Sequence, residues 1–202
     1  YRDAVRAVAA RHGLAASFAP KPFADKAGSG AHLHLSLWRD GENILYDAAD
    51  PLLLSPTGYW FIGGILEHLP ALCALTIPSV NSYRRIRPHF WAGAFTCYGA
   101  ENREAAVRVI TPRRVAASMN FELKACDPSC NPYLALGAVI AAGLDGIQRH
   151  RHPGEPMEVE RRRPFHREWL LKFRWLEARV AFEGRRDVFL AAPAGELRPP
   201  EA

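Results

Sequence analysis

Lysine is nearly missing from this 202-residue chain: only Lys21, Lys26, Lys124 and Lys172 stand among its 26 basic residues. The formal charge of +5 and the pI near 9.2 therefore rest on arginine. A guanidinium is a planar fork that suits phosphate and carboxylate, so an anionic small ligand explains the bias as readily as nucleic acid does, and a coding preference for arginine explains it too. The basic residues are scattered along the chain, which sets a nucleic-acid partner aside. Cysteine is also sparse. Cys73, Cys97, Cys126 and Cys130 show no pair of CxxC spacings, which argues against a structural zinc site. They read as reduced thiols, several of them buried, with Cys126 and Cys130 able to meet in space. No apolar run reaches membrane-spanning length and no secretory pattern opens the chain, so the expectation is a cytoplasmic protein with no membrane partner. Internal repeats are absent. What is present is 49% hydrophobic residues, enough to bury the core of one domain or of part of a larger one.

Periodicity organises the chain. YRDAVRAVAARHG places Ala4, Val5, Val8 and Ala9 on one helical stripe, with Gly13 where a C-terminal stop belongs. It lacks an N-cap, so Tyr1 is expected to be an internal position of something longer. In GSGAHLHLSLW, residues 31 to 37 alternate: Ala31, Leu33, Leu35 and Leu37 point one way and His32, His34 and Ser36 the other. Asp40-Gly41 then supplies a turn, and SPTGYWFIGGILEHLPALCAL reads as a core helix bent near Gly63-Gly64 and interrupted at Pro70. Strands are expected at AFTCYG, AAVRVI and SMNFELKAC; in the last, Asn120, Glu122 and Lys124 alternate with Phe121, Leu123 and Ala125. A closely packing helix of small residues follows the Asp-Pro and Asn-Pro turns at 127 to 132. A connector from Pro153, a helix at about 164 to 183 and a tail end the chain.

Two strands thus offer polar groups from one side. A His-x-His pair can share one metal ion, or divide between a metal and a neighbouring anion, or simply be solvated. The Gly-Ser-Gly before it lets backbone N–H groups approach phosphate or carboxylate oxygens. Glu122, on a strand that reads as buried, needs a cation: a metal, or an arginine such as Arg108 in a structural ion pair. Imidazole plus carboxylate suits Mn²⁺ or Mg²⁺ better than a sulfur-preferring metal. Arg84, Arg85, Arg87, Arg103 and Arg108 would neutralise the oxygens of a transferring phosphoryl group if they gather near Glu122.

Taken together, KPFADKAGSGAHLHLSL, NSYRRIRP, ENREAAVRV and DPSCNPYLALGAVIAAGLDGI resemble successive signature segments of the glutamine synthetase family, in the same order and with similar spacing. The resemblance implies an α+β fold, a curved antiparallel sheet with helices packed outside, in which residues 1–155 form the C-terminal part of the catalytic domain and 156–202 its connector, last helix and tail. It implies an ATP-dependent ligase that phosphorylates the γ-carboxylate of glutamate and lets ammonia displace phosphate from the acyl phosphate. By position, His32 and Glu122 match ligands of the second divalent metal, Mg²⁺ or Mn²⁺. His34 and Ser36 fall where the family contacts ATP, and Arg103 and Arg108 match its phosphate-binding arginines. Gly28 and Arg85 match substrate-binding positions. Lys124 stands near the γ-carboxylate where the family usually has arginine, keeping the charge but losing the fork.

Three departures accompany the match. Trp91 sits in the loop NSYRRIRPHFWAG where the family carries an ammonium-binding glutamate, so the acceptor is left open between ammonia and a larger amine, for which the indole would offer an apolar or cation–π wall. Ala27 replaces an asparagine and Asn120 an arginine. Finally, the family's N-terminal domain and Glu-x-Glu metal ligands are not among these residues, so alone the chain is expected to be inactive. The family forms rings, which makes a homo-oligomer the expected partner. The alternative is a catalytically silent assembly or regulatory subunit.

Overall fold

A computed structural model describes residues 1–112 and 115–157. Helix α2 (Pro56–Thr76) starts where Ser55 accepts a hydrogen bond from the Gly58 N–H at 3.1 Å and Pro56 fills the first helical position. It runs unbroken through Pro70, contrary to the interruption expected there. Pro70 lies on the exposed side, where water can serve the carbonyl that its ring leaves without a donor. Helix α4 (Pro132–Gln148) is capped by Asn131, whose side chain accepts from the N–H groups of Tyr133 and Leu134. The two helices cross at glycine: a Cβ on Gly64 would lie 2.1 Å from the Ala142 carbonyl oxygen, and one on Gly146 would lie 2.2 Å from that of Trp60. Small residues at these positions allow the backbones to touch, as the composition of both segments implies.

The helices cover one face of a four-stranded sheet in the order β1 (Leu33–Leu35), β6 (Asn120–Leu123), β5 (Ala105–Ile110), β4 (Phe95–Ala100). Phe61, Ile62, Ile65 and Leu69 of α2 share one core with Phe95, Tyr98, Val107, Val109, Phe121 and Leu123. The rings of Phe61 and Phe121 are 5.4 Å apart. The fold is α+β, as the resemblance implies. Its sheet is antiparallel across β1, β6 and β5, whereas β4 runs parallel to β5. Residues 101–104 link these two strands. Glu101 adopts a left-handed φ of 52°, and buried Asn102 accepts from the N–H groups of Glu104 and Ala105.

The strand expected at residues 31 to 37 is regular only at β1, because it serves two partners. Its Ala31 N–H donates to the Cys126 carbonyl, while its Leu37 carbonyl accepts from Ile44 beside a small hairpin of β2 (Trp38–Arg39) and β3 (Glu42–Asn43). Asp40 and Gly41 turn that hairpin with φ of 51° and 83°, the left-handed pair that Asp-Gly favours. Helix α1 (Arg2–Arg11) ends before Gly13 as its pattern implies, but it buries no residue. Helix α3 (Val80–Arg85) carries Arg85 inward. The helix expected at 164 to 183 and the tail lie outside the described residues. Among the described residues, no helix is long and apolar enough to cross a membrane.

Candidate active site

Register assembles the site. His34 of β1 pairs with Glu122 of β6, and Glu122 pairs with Arg108 of β5, so three functional side chains lie in one row across the sheet. Residues two apart share a face, which adds His32 and Lys124 to the same side. Around the Glu122 carboxylate, His32 Nδ1 lies at 2.6 Å and Lys124 Nζ at 3.3 Å from Oε1, and Arg108 Nη1 at 3.4 Å from Oε2. Val107 and Val109 are buried in the core while Arg108 faces the other way, as the alternation implies.

Glu122 and Lys124 are 4% and 3% exposed, so both charges have left water. Burial by itself would raise the Glu122 carboxyl above its ordinary value. The hydrogen bond from His32 and the nearby charges of Lys124, His32 and Arg108 outweigh it and hold the group at about 2. Burial pushes the Lys124 ammonium down, and Glu122 partly offsets this. The site therefore carries a fixed carboxylate and an excess of positive charge, an arrangement that attracts anions with several oxygens.

A metal fits part of this site. Oε2 of Glu122 is buried and, among the described residues, accepts no hydrogen bond beyond its 3.4 Å ion pair with Arg108, which leaves room for a further cation. His34 Nδ1 is bonded to Asn120 Oδ1 at 3.0 Å; as donor there, its ring turns a lone-pair nitrogen, Nε2, toward Glu122 Oε1 at 3.8 Å. Two lone pairs facing each other call for a proton or a cation between them. Among the described residues, no three His, Cys, Asp or Glu side chains are arranged to chelate a metal ion, so His32 and Glu122 would form part of a coordination shell.

Arg85 lies beside this cluster and is reached through the backbone. Its Nη2 donates to the carbonyls of Lys124 and Cys126 at 3.1 and 3.0 Å, and its Nε is buried without an acceptor. Burial lowers its pKa, with Asp127 opposing that shift. Gly28 and Gly30 allow the preceding loop to close on it: a Cβ on Gly28 would meet Arg85 Cγ at 2.6 Å, and one on Gly30 would meet Arg85 Nη1 at 3.0 Å. Trp91 is 62% exposed and touches the cluster through its carbonyl, 3.5 Å from Lys124 Nζ. Arg103 stays out of the carboxylate cluster, its guanidinium carbon 6.0 Å from the centre of the Trp91 ring. Ser36 is exposed, its hydroxyl accepting from Trp38 Nε1 at 2.8 Å.

Sequence reasoning passed over Glu101 and Glu104. Glu101 Oε2 lies 3.8 Å from Arg108 Nη2, and Glu104 accepts from two backbone N–H groups of the Trp91 loop. The segment ENRE was in view, but a four-residue link has no period from which to read where its side chains point.

An α+β scaffold thus gathers imidazole, carboxylate and several fixed cations on one sheet face, a surface whose charge suits anionic groups. Residues 1–169 match the family described as glutamine synthetase, catalytic domain, and the chain belongs to the glutamine synthetase family. It is 50% identical to a glutamine synthetase of Halobacterium salinarum over 79% of this chain and 35% of that protein. It is also 51% identical to gamma-glutamylpolyamine synthetase GlnA3 of Streptomyces coelicolor, over 72% of this chain and 32% of that one. Among solved structures, "GmaS/ADP complex-Conformation 1" superposes with a TM-score of 0.69 at 39% identity, over 78% of this chain and 37% of that chain. The Plasmodium falciparum glutamine synthetase does so with a TM-score of 0.72 at 31% identity, over 78% of this chain and 30% of that chain. The chain spans about a third of the length of the curated relatives it matches.

Proposed function

We propose that the protein is an ATP-dependent ligase that forms an amide between the γ-carboxylate of a glutamate-like acid and an amine through an acyl phosphate, with this chain contributing part of the catalytic domain. The observation that carries the reading is the convergence of His32, Arg108 and Lys124 on buried Glu122 across three neighbouring strands. His32 and Glu122 would hold Mg²⁺ or Mn²⁺, which when bound supplies positive charge to phosphate oxygens. Arg108 and Arg103 balance the charge of the transferred phosphoryl group, and His34 and Ser36 face ATP. Arg85, with the Gly28 loop packed against it, binds the acid's carboxylate end, and Lys124 holds the γ-carboxylate for attack on ATP. The buried Arg85 Nε, without an acceptor among the described residues, and Glu122 Oε2, with only its ion pair to Arg108, support this assignment because each keeps hydrogen-bonding or coordinating capacity.

The acceptor is an alkylamine or polyamine in this reading. Trp91 supplies an indole face for the carbon chain and cannot accept a proton as an acid could. The likeness to the gamma-glutamylpolyamine synthetase supports the same direction. A cytoplasmic, ring-shaped homo-oligomer without nucleic-acid or membrane partners accompanies the proposal. Phosphate release by the full-length protein, supplied with ATP, glutamate and a panel of ammonia, monoalkylamines and polyamines, tests it. Turnover rises with an amine if the reading holds; if no amine, ammonia included, stimulates ATP use, the ligase reading falls and the silent subunit takes its place.

A further inference from the structure

Three residues between Arg87 and Ala94 adopt the left-handed backbone: His89 with φ of 65°, Trp91 with 52° and Gly93 with 72°. Gly93 has a local reason. Besides its φ, a Cβ there would lie 2.7 Å from Lys124 Cβ, so only glycine brings the loop down onto the site strand. His89 and Trp91 have no such licence, because a left-handed form at a bulky residue costs energy and persists only where the surroundings enforce it. Core packing does not enforce it, since Trp91 is 62% exposed.

The enforcement comes from Glu104. Its Oε2 accepts from the His89 N–H at 3.0 Å and its Oε1 from the Trp91 N–H at 3.1 Å, so one carboxylate spans both strained residues. The two N–H groups converge as the rim of an anion-binding concavity, and charge-assisted bonds are the stronger kind. The rest of Trp91 is held by the site itself. Its carbonyl lies 3.5 Å from Lys124 Nζ, and the Arg103 guanidinium lies over its ring. Glu104 directly follows Arg103 and leads into β5, so the strand that carries Arg108 into the site also fixes the loop above it.

We infer that Glu104 is a positioning residue for acceptor specificity: by binding the backbone of residues 89 and 91 it fixes Trp91 with its carbonyl toward Lys124 Nζ and its indole against Arg103, as a wall at the edge of the site. The inference rests on the ligase reading for the identity of the acceptor, but the backbone clamp stands apart from it. Glutamate is needed because both oxygens accept. Glutamine keeps one acceptor and replaces the other with a donor that would face an N–H, and aspartate is one methylene shorter.

The test uses the full-length protein with Glu104→Gln and Glu104→Asp. Amide hydrogen exchange over residues 87–94 reads the clamp, and kinetics with glutamate, ATP and the best amine read its consequence. In Glu104→Gln, exchange at residues 89 and 91 is expected to quicken about tenfold or more. The KM for the amine rises about tenfold or more, while kcat and the KM for ATP stay within about twofold. Glu104→Asp recovers part of both effects. Unchanged exchange would overturn the clamp. Quickened exchange with an unchanged amine KM, or an equal loss across kcat and the KM for ATP, would overturn the specificity role. If the unaltered protein shows no amine-dependent turnover, the ligase reading fails and takes the acceptor role with it, while exchange still decides whether Glu104 holds the loop.

Discussion

The α2–α4 pair and the β1–β6–β5 face are held together by opposite means. The helices meet backbone to backbone at Gly64 and Gly146 among apolar side chains, with charge only at the half-exposed rim, where His68 lies 2.8 Å from Asp145 and Arg149 2.7 Å from Glu67. The sheet face, on the far side of the core, places Glu122 among His32, Arg108 and Lys124, with Lys124 as deeply buried as the acid it faces. An apolar contact of the first kind is complete in itself. A buried charge cluster with an excess of cations is not: among the described residues Arg85 Nε has no acceptor, and Glu122 Oε2 has only its ion pair with Arg108. The helix pair reads as scaffold, and the sheet face is where the proposed ligands would sit.

Substitutions can break that contrast in order of size. Glu122→Gln removes the single negative charge that Lys124 and Arg108 share and should destabilise the fold by about 3 kcal/mol or more, read by denaturant unfolding. Its effect depends on pH. The carboxyl is held at about 2, below its ordinary 4.5, so the native protein's advantage over the variant is complete above about pH 4.5. That advantage is lost as the pH falls through 2. Gly146→Ala places a Cβ against the Trp60 carbonyl and should cost about 2–3 kcal/mol, a loss that changes far less with pH because the neighbouring His68–Asp145 pair is half-exposed and weak. An equally steep pH dependence there, or a pH-independent loss at Glu122, would erase the distinction between the regions. Asn131→Ala removes two bonds at the start of α4 and should cost about 1 kcal/mol by thermal unfolding, with the site's metal affinity unchanged.

How legible each region was follows from the same contrast. Small-residue helices, the Asp40-Gly41 turn and the Asn131-Pro132 start are local signals, and the structure carries each of them where the sequence placed it. Alternation placed Glu122 and Lys124 on one face and Arg108 on the corresponding face of β5, because a period of two needs no knowledge of partners. Three features depended on distant contacts and were not readable. Pro70 is tolerated because its side of the helix is exposed, β4 runs parallel to β5 where an antiparallel neighbour was expected, and α1 buries nothing although its stripe is apolar. Glu104 escaped for a further reason: its partners are backbone N–H groups, which leave no mark on the residue pattern.

The central proposal is that His32 and Glu122 supply part of the coordination shell of a divalent-cation site beside Arg108 and Lys124. Titration of the full-length protein with Mn²⁺ in the presence of ATP, followed by electron paramagnetic resonance, tests it in native, His32→Gln and Glu122→Gln forms. The account predicts that each variant binds one fewer Mn²⁺ per subunit, or binds it at least about tenfold more weakly, than the native protein. Equal stoichiometry and affinity in all three would contradict it.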